Sequence, residues 1–213
     1  RSHCDWSSDV CSSDLASIGP SAGGAVYSPA MTDFVVMVNK LGTMFVTGPD
    51  VVKTVLGEEV SFDELGGAMT HGSKSGVAHF VVQNEYECMD HIKTLLSYIP
   101  QNNIEEPPIV VNGDDPNRLD HNIINFVPED PVKPYDIKKI IHSIVDDHNF
   151  FEIHELFAQN IVVGFARMHG RTIGVIANQP LFLAGALDID SSNKAARFIR
   201  FCDCYKDRKS TRL

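Results

Sequence analysis

IGPSAGGAVYSPAMTDF, Ile18 to Phe34, sets two adjacent glycines between a tight turn and a predicted short helix. Gly19-Pro20 punctuates the turn. Gly23 and Gly24 have no Cβ, so a ligand can come close to the main chain there. The first N–H groups of a helix have no internal acceptors, which leaves donors able to grip an anion. On spacing alone the balance favours a structural glycine turn, because glycine pairs are common and no general motif is met.

Outward from that turn, the pattern alternates. Asp33 to Val38 and Thr43 to Thr47 read as short buried strands, rich in apolar and β-branched residues. Val51 to Leu56 reads as a helix stopped by Gly57. Ser61 and Glu64 have the spacing of a capping box for the next helix, which Gly66-Gly67 ends. Val77 to Val82 is predicted extended. Glu85 to Ile99 is predicted helical, with Met89, Ile92, Leu95, Leu96 and Ile99 on one core-facing stripe before Pro100. Strands alternating with helices define the fold class as α/β.

Residues 101–134 differ in kind. Prolines recur there among acids and amides, as in a surface connection, and the domain boundary is set near Pro134. Beyond it, Ile137, Ile140, Ile141, Ile144 and Val145 fall at helical spacing. Asn160 to Arg167 and Arg171 to Ala177 form a predicted hairpin around Met168-His169-Gly170. Ser191 or Ser192 is a candidate N-cap for a last helix that turns Ala195, Phe198, Ile199, Cys202 and Tyr205 inward.

The net charge of −10 gives no basic footprint for broad nucleic-acid binding. No apolar run approaches the roughly 20 residues of a membrane span. The two ends are read apart from the rest. DRKSTRL, Asp207 to Leu213, back-translates to DNA whose reverse complement encodes DVCSSD, Asp9 to Asp14. One oligonucleotide read in both directions accounts for both, so residues 1–15 and 207–213 are expected to be adapter-derived and non-native, with Lys206 across the join. Setting them aside leaves Cys88, Cys202 and Cys204, a sparse set expected to stay reduced in a cytoplasmic or matrix compartment.

GPSAGGAVYSPAMTDF, then FVTGPDVVKTVLGEEVSFDELGGAMTHGSKSGVAHF (Phe45 to Phe80), then FFEIHELFAQNIVVGFARMHGRTIGVIANQP (Phe150 to Pro180), follow one another in a familiar order. The chain resembles the carboxyltransferase subunits of biotin-dependent acyl-CoA carboxylases, propionyl-CoA carboxylase beta chains above all, from about Ala16 to Tyr205. The resemblance implies a crotonase-like carboxyltransferase fold, a spiral of ββα turns, incomplete here and comprising parts of two related domains. Residues 16–134 would be the later part of the first domain plus linker, and 135–206 the start of the second. It implies transfer of a carboxyl group from carboxybiotin to a short-chain acyl-CoA, propionyl-CoA to methylmalonyl-CoA. Gly23 and Gly24 would form the thioester oxyanion hole, with Ala22 and Ala25 as substrate-binding neighbours.

Biotin would arrive on another polypeptide or domain, since no Met-Lys-Met attachment motif occurs. ATP would be used only by a partner biotin carboxylase. The implied partners are that biotin carboxylase, a biotin carboxyl carrier subunit, and further copies of the chain in a dimer-based hexamer. No nucleic acid is expected, and no membrane unless the chain serves a decarboxylase. The rivals are a methylmalonyl-CoA decarboxylase or transcarboxylase subunit, a crotonase-class hydratase or isomerase, and an inactive fragment with an assembly surface only.

Other chemistry is weaker. His71 and His79 flank SKSG, but no third ligand stands at a recognised spacing, so no metal is expected. Cys202 and Cys204 have the wrong spacing for a zinc knuckle or a redox motif. Residues 113–120 read as a linker turn rather than a calcium loop. Asp146-Asp147-His148 reads as a solvated helix end. Ser28 lies outside any nucleophile elbow.

Overall fold

The computed structural model describes residues 14–102, 105–115, 118–130, 132–205 and 211–212. The adapter reading of residues 1–13, 206–210 and 213 therefore lies outside the described residues. The chain divides into two compact units, Ser12–Leu95 and one that takes in Leu96–Leu213.

In the first unit, β1 (Asp14–Ser17) and β2 (Pro20–Ala22) lead into a 3-10 turn over Gly23–Val26 and the single-turn helix α1 (Tyr27–Ala30). β3 (Phe34–Val38) and β4 (Thr43–Phe45) follow, then α2 (Pro49–Leu56), α3 (Phe62–Gly66), α4 (Ala68–Thr70) and a π-turn over His71–Ser75. β5 (Phe80–Val82) and α5 (Glu85–Leu96) complete the unit's elements.

All pairing between these strands is parallel. One sheet runs β1-β3-β5 and a second pairs β2 with β4. Every residue of β3 is buried, as a central parallel strand covered on both faces requires. Val35, Met37, Met44, Ala68 and Ala78 form the core with Val26, which the 3-10 turn sends inward. Gly57 stops α2 in the left-handed region at φ 74. The Ser61–Glu64 capping box closes with both bonds, and the Ser61 amide and hydroxyl hold the Glu64 carboxyl below its usual range. The stripe of α5 is narrower than expected. Cys88 and Leu95 are buried, whereas Met89 and Leu96 are about half exposed.

The second unit is antiparallel at its centre. Its elements are α6 (Ile137–Ile144), β6 (Phe150–Ile153), β7 (Ile161–Met168), β8 (Arg171–Asn178), α7 (Ile189–Cys204) and β9 (Thr211–Arg212). The sheet order is β6-β7-β8-β9, with β9 parallel on β8. Ile137, Ile141 and Val145 pack with Val162, Ala166, Ile173, Val175 and Ala177.

The division at Leu96 falls ahead of the proline-rich segment, earlier than the boundary set near Pro134. Polar anchors explain why. Val110 N–H donates to the Gly170 carbonyl at 2.9 Å, and the Arg118 guanidinium donates to the Ser143 and Val145 carbonyls at 2.7 and 2.5 Å. The linker is thereby fastened to α6 and the β7–β8 turn.

Asp188, not Ser191 or Ser192, is the N-cap of α7, and Ser191 sits at the third helical position of its capping box. Ile199 is about half exposed, while Lys194 is buried. The free thiols Cys88 and Cys202 are both buried. Cys204 is disulfide-bonded, against the expectation that all three thiols are reduced.

Candidate functional site

β2 pairs with β4 in register, Pro20 with Thr43, Ser21 with Met44 and Ala22 with Phe45. The chain leaves this ladder directly into Gly23, whose φ of +62 is a left-handed conformation that glycine adopts without a Cβ penalty. The 3-10 turn that begins there has Ala22 as its extended N-cap, with no side chain capping it. Gly23 and Gly24 thus occupy its first two positions, whose N–H groups have no acceptor inside the turn.

The two amides are not equivalent. Thr43 N–H donates to the Gly19 carbonyl, so alternation along the ladder turns the Gly23 N–H towards β4. Among the described residues, the Gly24 N–H meets no acceptor in the turn, the ladder or a side chain. A Cβ built on Gly24 would touch nothing within 4 Å. Ala22, Gly24 and Ala25 are exposed and Gly23 is half-buried, while Val26 anchors the turn from beneath at 7% exposure. The structure therefore brings all four sequence-predicted residues into one turn, with the exposed Gly24 amide left without an internal acceptor. Residues 22–26 carry no titratable side chain.

His71 and His79 do not come together as ligands. The buried His79 ring accepts the Val35 N–H at Nδ1, 3.1 Å, inside the β1-β3-β5 sheet. The His71 ring contacts the Met44 carbonyl through Nε2, 2.6 Å, and Ser75 Oγ through Nδ1, 2.8 Å. Among the described residues, no group of three or more His, Cys, Asp or Glu side chains could hold a metal ion.

A cavity of about 440 Å³ lies in the second unit, between the linker and α6. Asp114, Arg118, Asp120, Ser143 and Asp146 in its lining are engaged in internal bonds. Arg118 pairs with Asp114 at 2.8 Å, and Ser143 donates to Asp120 at 2.6 Å. Asp146, expected at a solvated helix end, accepts the N–H groups of His169 and Gly170 at 3.0 and 2.7 Å and an Asn112 amide at 2.7 Å. Burial pushes its carboxyl up, but these donors outweigh burial and hold it below the usual range. The cavity belongs to linker anchoring.

Lys194 is the residue that sequence reasoning missed. The residue is 2% exposed, and its ammonium donates to the carbonyls of His154, Phe157 and Ile161 at 2.8–2.9 Å, with Ala158 at 3.3 Å. Burial lowers its pKa to about 8. Its only sequence signal is a place on the inward stripe of α7, four residues before Phe198.

A parallel α/β layer here ends in a glycine turn without titratable side chains, capped by none. The chain belongs to the carboxyl transferase domain family, which matches residues 16–207. It is 57% identical over 190 residues to the carboxyltransferase subunit of propionyl-CoA carboxylase from Haloferax mediterranei, covering 89% of this chain and 37% of that protein. It is 50% identical to the methylmalonyl-CoA decarboxylase subunit alpha of Veillonella parvula, covering 88% and 37%.

Among solved structures, the hexameric transcarboxylase 12S with methylmalonyl-coenzyme A and methylmalonic acid bound superposes with a TM-score of 0.88 at 45% identity. That match covers 92% of this chain and 37% of that one. A single-chain, multi-domain long-chain acyl-CoA carboxylase, TM-score 0.72 at 21% identity, shares the fold. The fold is thus the α/β, crotonase-like carboxyltransferase fold in part. The chain spans a little over a third of the length of the curated relatives it matches.

Proposed function

We propose that the protein containing this chain moves a carboxyl group between biotin and a short-chain acyl-CoA, in the direction propionyl-CoA to methylmalonyl-CoA. The observation that carries this reading is the Gly24 amide, exposed and without an acceptor at the mouth of a side-chain-free turn. There it would accept the charge that builds on a thioester oxygen when the α-carbon loses its proton. Removing one such donor typically costs about 3–4 kcal/mol of transition-state stabilisation. Biotin, when bound, would supply the carboxyl group and the base, which fits a turn with no titratable side chain of its own. The role of this chain's residues is to position the thioester: Gly23 sets the bend, Gly24 donates, and Ala22 and Ala25 leave room for the acyl group.

Biotin would come on a carrier subunit, charged by a biotin carboxylase that uses the ATP. We read the parent as a homo-oligomer of the hexameric kind, in the cytoplasm or a mitochondrial matrix. In family terms we assign residues 16–134 to the first carboxyltransferase domain with its linker, and 135–206 to the start of the second. The decarboxylase reading keeps the same turn and reverses the reaction, and the identity to the Veillonella parvula subunit favours carrying it. Membrane subunits encoded beside the gene would select it.

The test is Gly24→Phe in the full-length gene product, assayed for carboxylation of propionyl-CoA with its biotin carrier. The side chain has space in the fold and would fill the place of the thioester oxygen. Turnover should fall by about 10²-fold or more with the fold intact. Unchanged turnover refutes the assignment.

A further inference from the structure

We infer that His71 is a positioning residue for the glycine turn: its Nε2–H holds the outer edge of β4, the strand whose other edge carries β2 and delivers Gly23 and Gly24. This rests on the role proposed for that turn. Successive backbone groups of a strand face opposite edges. Thr43 N–H is directed to Gly19 at the start of β2, so Met44 directs its carbonyl the other way. Among the described residues, no strand of the β2-β4 sheet lies on that side. An isolated antiparallel bridge between Thr43 and Gly67 pins the α3–α4 junction there, and the His71 imidazole supplies a donor for the Met44 carbonyl at 2.6 Å.

The site is built for this contact. Met44 is 1% exposed, so an unpartnered carbonyl there would carry the full cost of desolvation. A side chain at Gly66 would drive into that carbonyl, so glycine allows the close approach of α3. The carbonyl can only accept, which fixes the proton on Nε2 and leaves Nδ1 to accept the Ser75 hydroxyl proton at 2.8 Å. The Ser75 oxygen in turn accepts from Val77 N–H at 3.4 Å. The ring is therefore fixed in tautomer and orientation by a π-turn, a kind of helix irregularity frequent at functional sites. Beyond Met44, the Val46 carbonyl lies 3.9 Å from where a Cβ of Gly23 would stand, so a shift in β4 reaches the turn directly.

The test compares two near-isosteres in the full-length gene product. A glutamine amide nitrogen can stand in for Nε2, whereas an asparagine amide reaches only the place of Nδ1. His71→Gln should keep kcat within about threefold of wild type. His71→Asn and His71→Ala should lower it by about tenfold or more with KM for the acyl-CoA nearly unchanged, as displacement of a preorganised donor does. Amide hydrogen exchange at residues 44–46 and at Gly23 should quicken in His71→Asn and stay at the wild-type rate in His71→Gln. Equal behaviour of the Gln and Asn variants, in rate and in exchange, overturns the positioning role. A wild-type protein without acyl-CoA carboxyl transfer overturns the proposed function instead, and the exchange comparison still decides whether His71 positions the turn.

Discussion

Two tight turns follow strands in this chain and solve the same geometric problem in opposite ways. The Gly23–Val26 turn takes its one left-handed residue from glycine, uses no side chain to cap it, and leaves Gly24 exposed. The Leu183–Gly185 turn places three consecutive residues in the left-handed region, at φ 49, 52 and 74, of which only the last is glycine. Left-handed backbone costs roughly 1–2 kcal/mol at each non-glycine residue, so this turn must be held. Side-chain amides hold it. Asn178 Nδ2 donates to the Gly185 carbonyl at 2.9 Å, and Asn160 Nδ2 to the Ala186 carbonyl at 2.7 Å and to Asp188 at 3.3 Å. Where glycine sets the bend, no side chain is spent on the turn. Where side chains set it, the polar groups are consumed by the fold.

The contrast predicts a double dissociation. Gly24→Phe should abolish carboxyl transfer, by about 10²-fold or more, yet move the unfolding free energy by no more than about 0.5 kcal/mol. A large loss of stability would show that the first turn is also held by its surroundings and would erase the distinction.

The loop before Asn160 gives the next largest effect, through Lys194. The unfolded chain keeps this proton to about pH 10.4. The folded chain releases it near pH 8. Between these values the unfolded state binds more protons, so the stability contributed by Lys194 rises with pH, by at most about 3 kcal/mol. Urea unfolding of wild type and Lys194→Met at pH 7 and pH 10 should show this slope in the wild type alone. A parallel pair of curves would refute it.

Asn160→Ala removes a buried amide from two acceptors and should destabilise the second unit by about 2 kcal/mol. Differential hydrogen exchange should localise the change to residues 178–190 and leave residues 20–26 untouched. Smallest is Gly23→Ala, which keeps every contact but forces alanine to φ +62, at about 1 kcal/mol. An effect as large as that of Asn160→Ala would mean that the first turn is as tightly specified as the second.

The same contrast separates what was legible in the sequence from what was not. Local chemistry read well. Ser61 and Glu64 form the expected capping box, Gly57 stops α2, and the hairpin turns at His169-Gly170, because each depends on residues a few positions apart. The glycine pair was legible as a turn for the same reason, while the role proposed for it comes from the resemblance. Long-range polar groups were not visible. Asp146 looked solvated because nothing nearby in sequence announces the amides of His169 and Gly170. Lys194 looked like one more charge on α7, since its carbonyl partners come from a loop more than 30 residues earlier. The linker read only as a surface connection because the bonds that fasten it, from Val110 and Arg118, join segments far apart in the chain.

The π-turn at His71–Ser75 has a consequence for how this segment can vary. A π-turn holds one more residue per turn than the α-helix it continues, and each residue advances a helix by about 100°. The aim of the imidazole therefore depends on how many residues lie between Gly67 and Gly76 as well as on their identity. The exposed Ser73 and Lys74 can be exchanged for other residues of similar bulk, whereas a one-residue deletion between them would swing the ring off the Met44 carbonyl. In this short stretch, length is itself the inherited quantity.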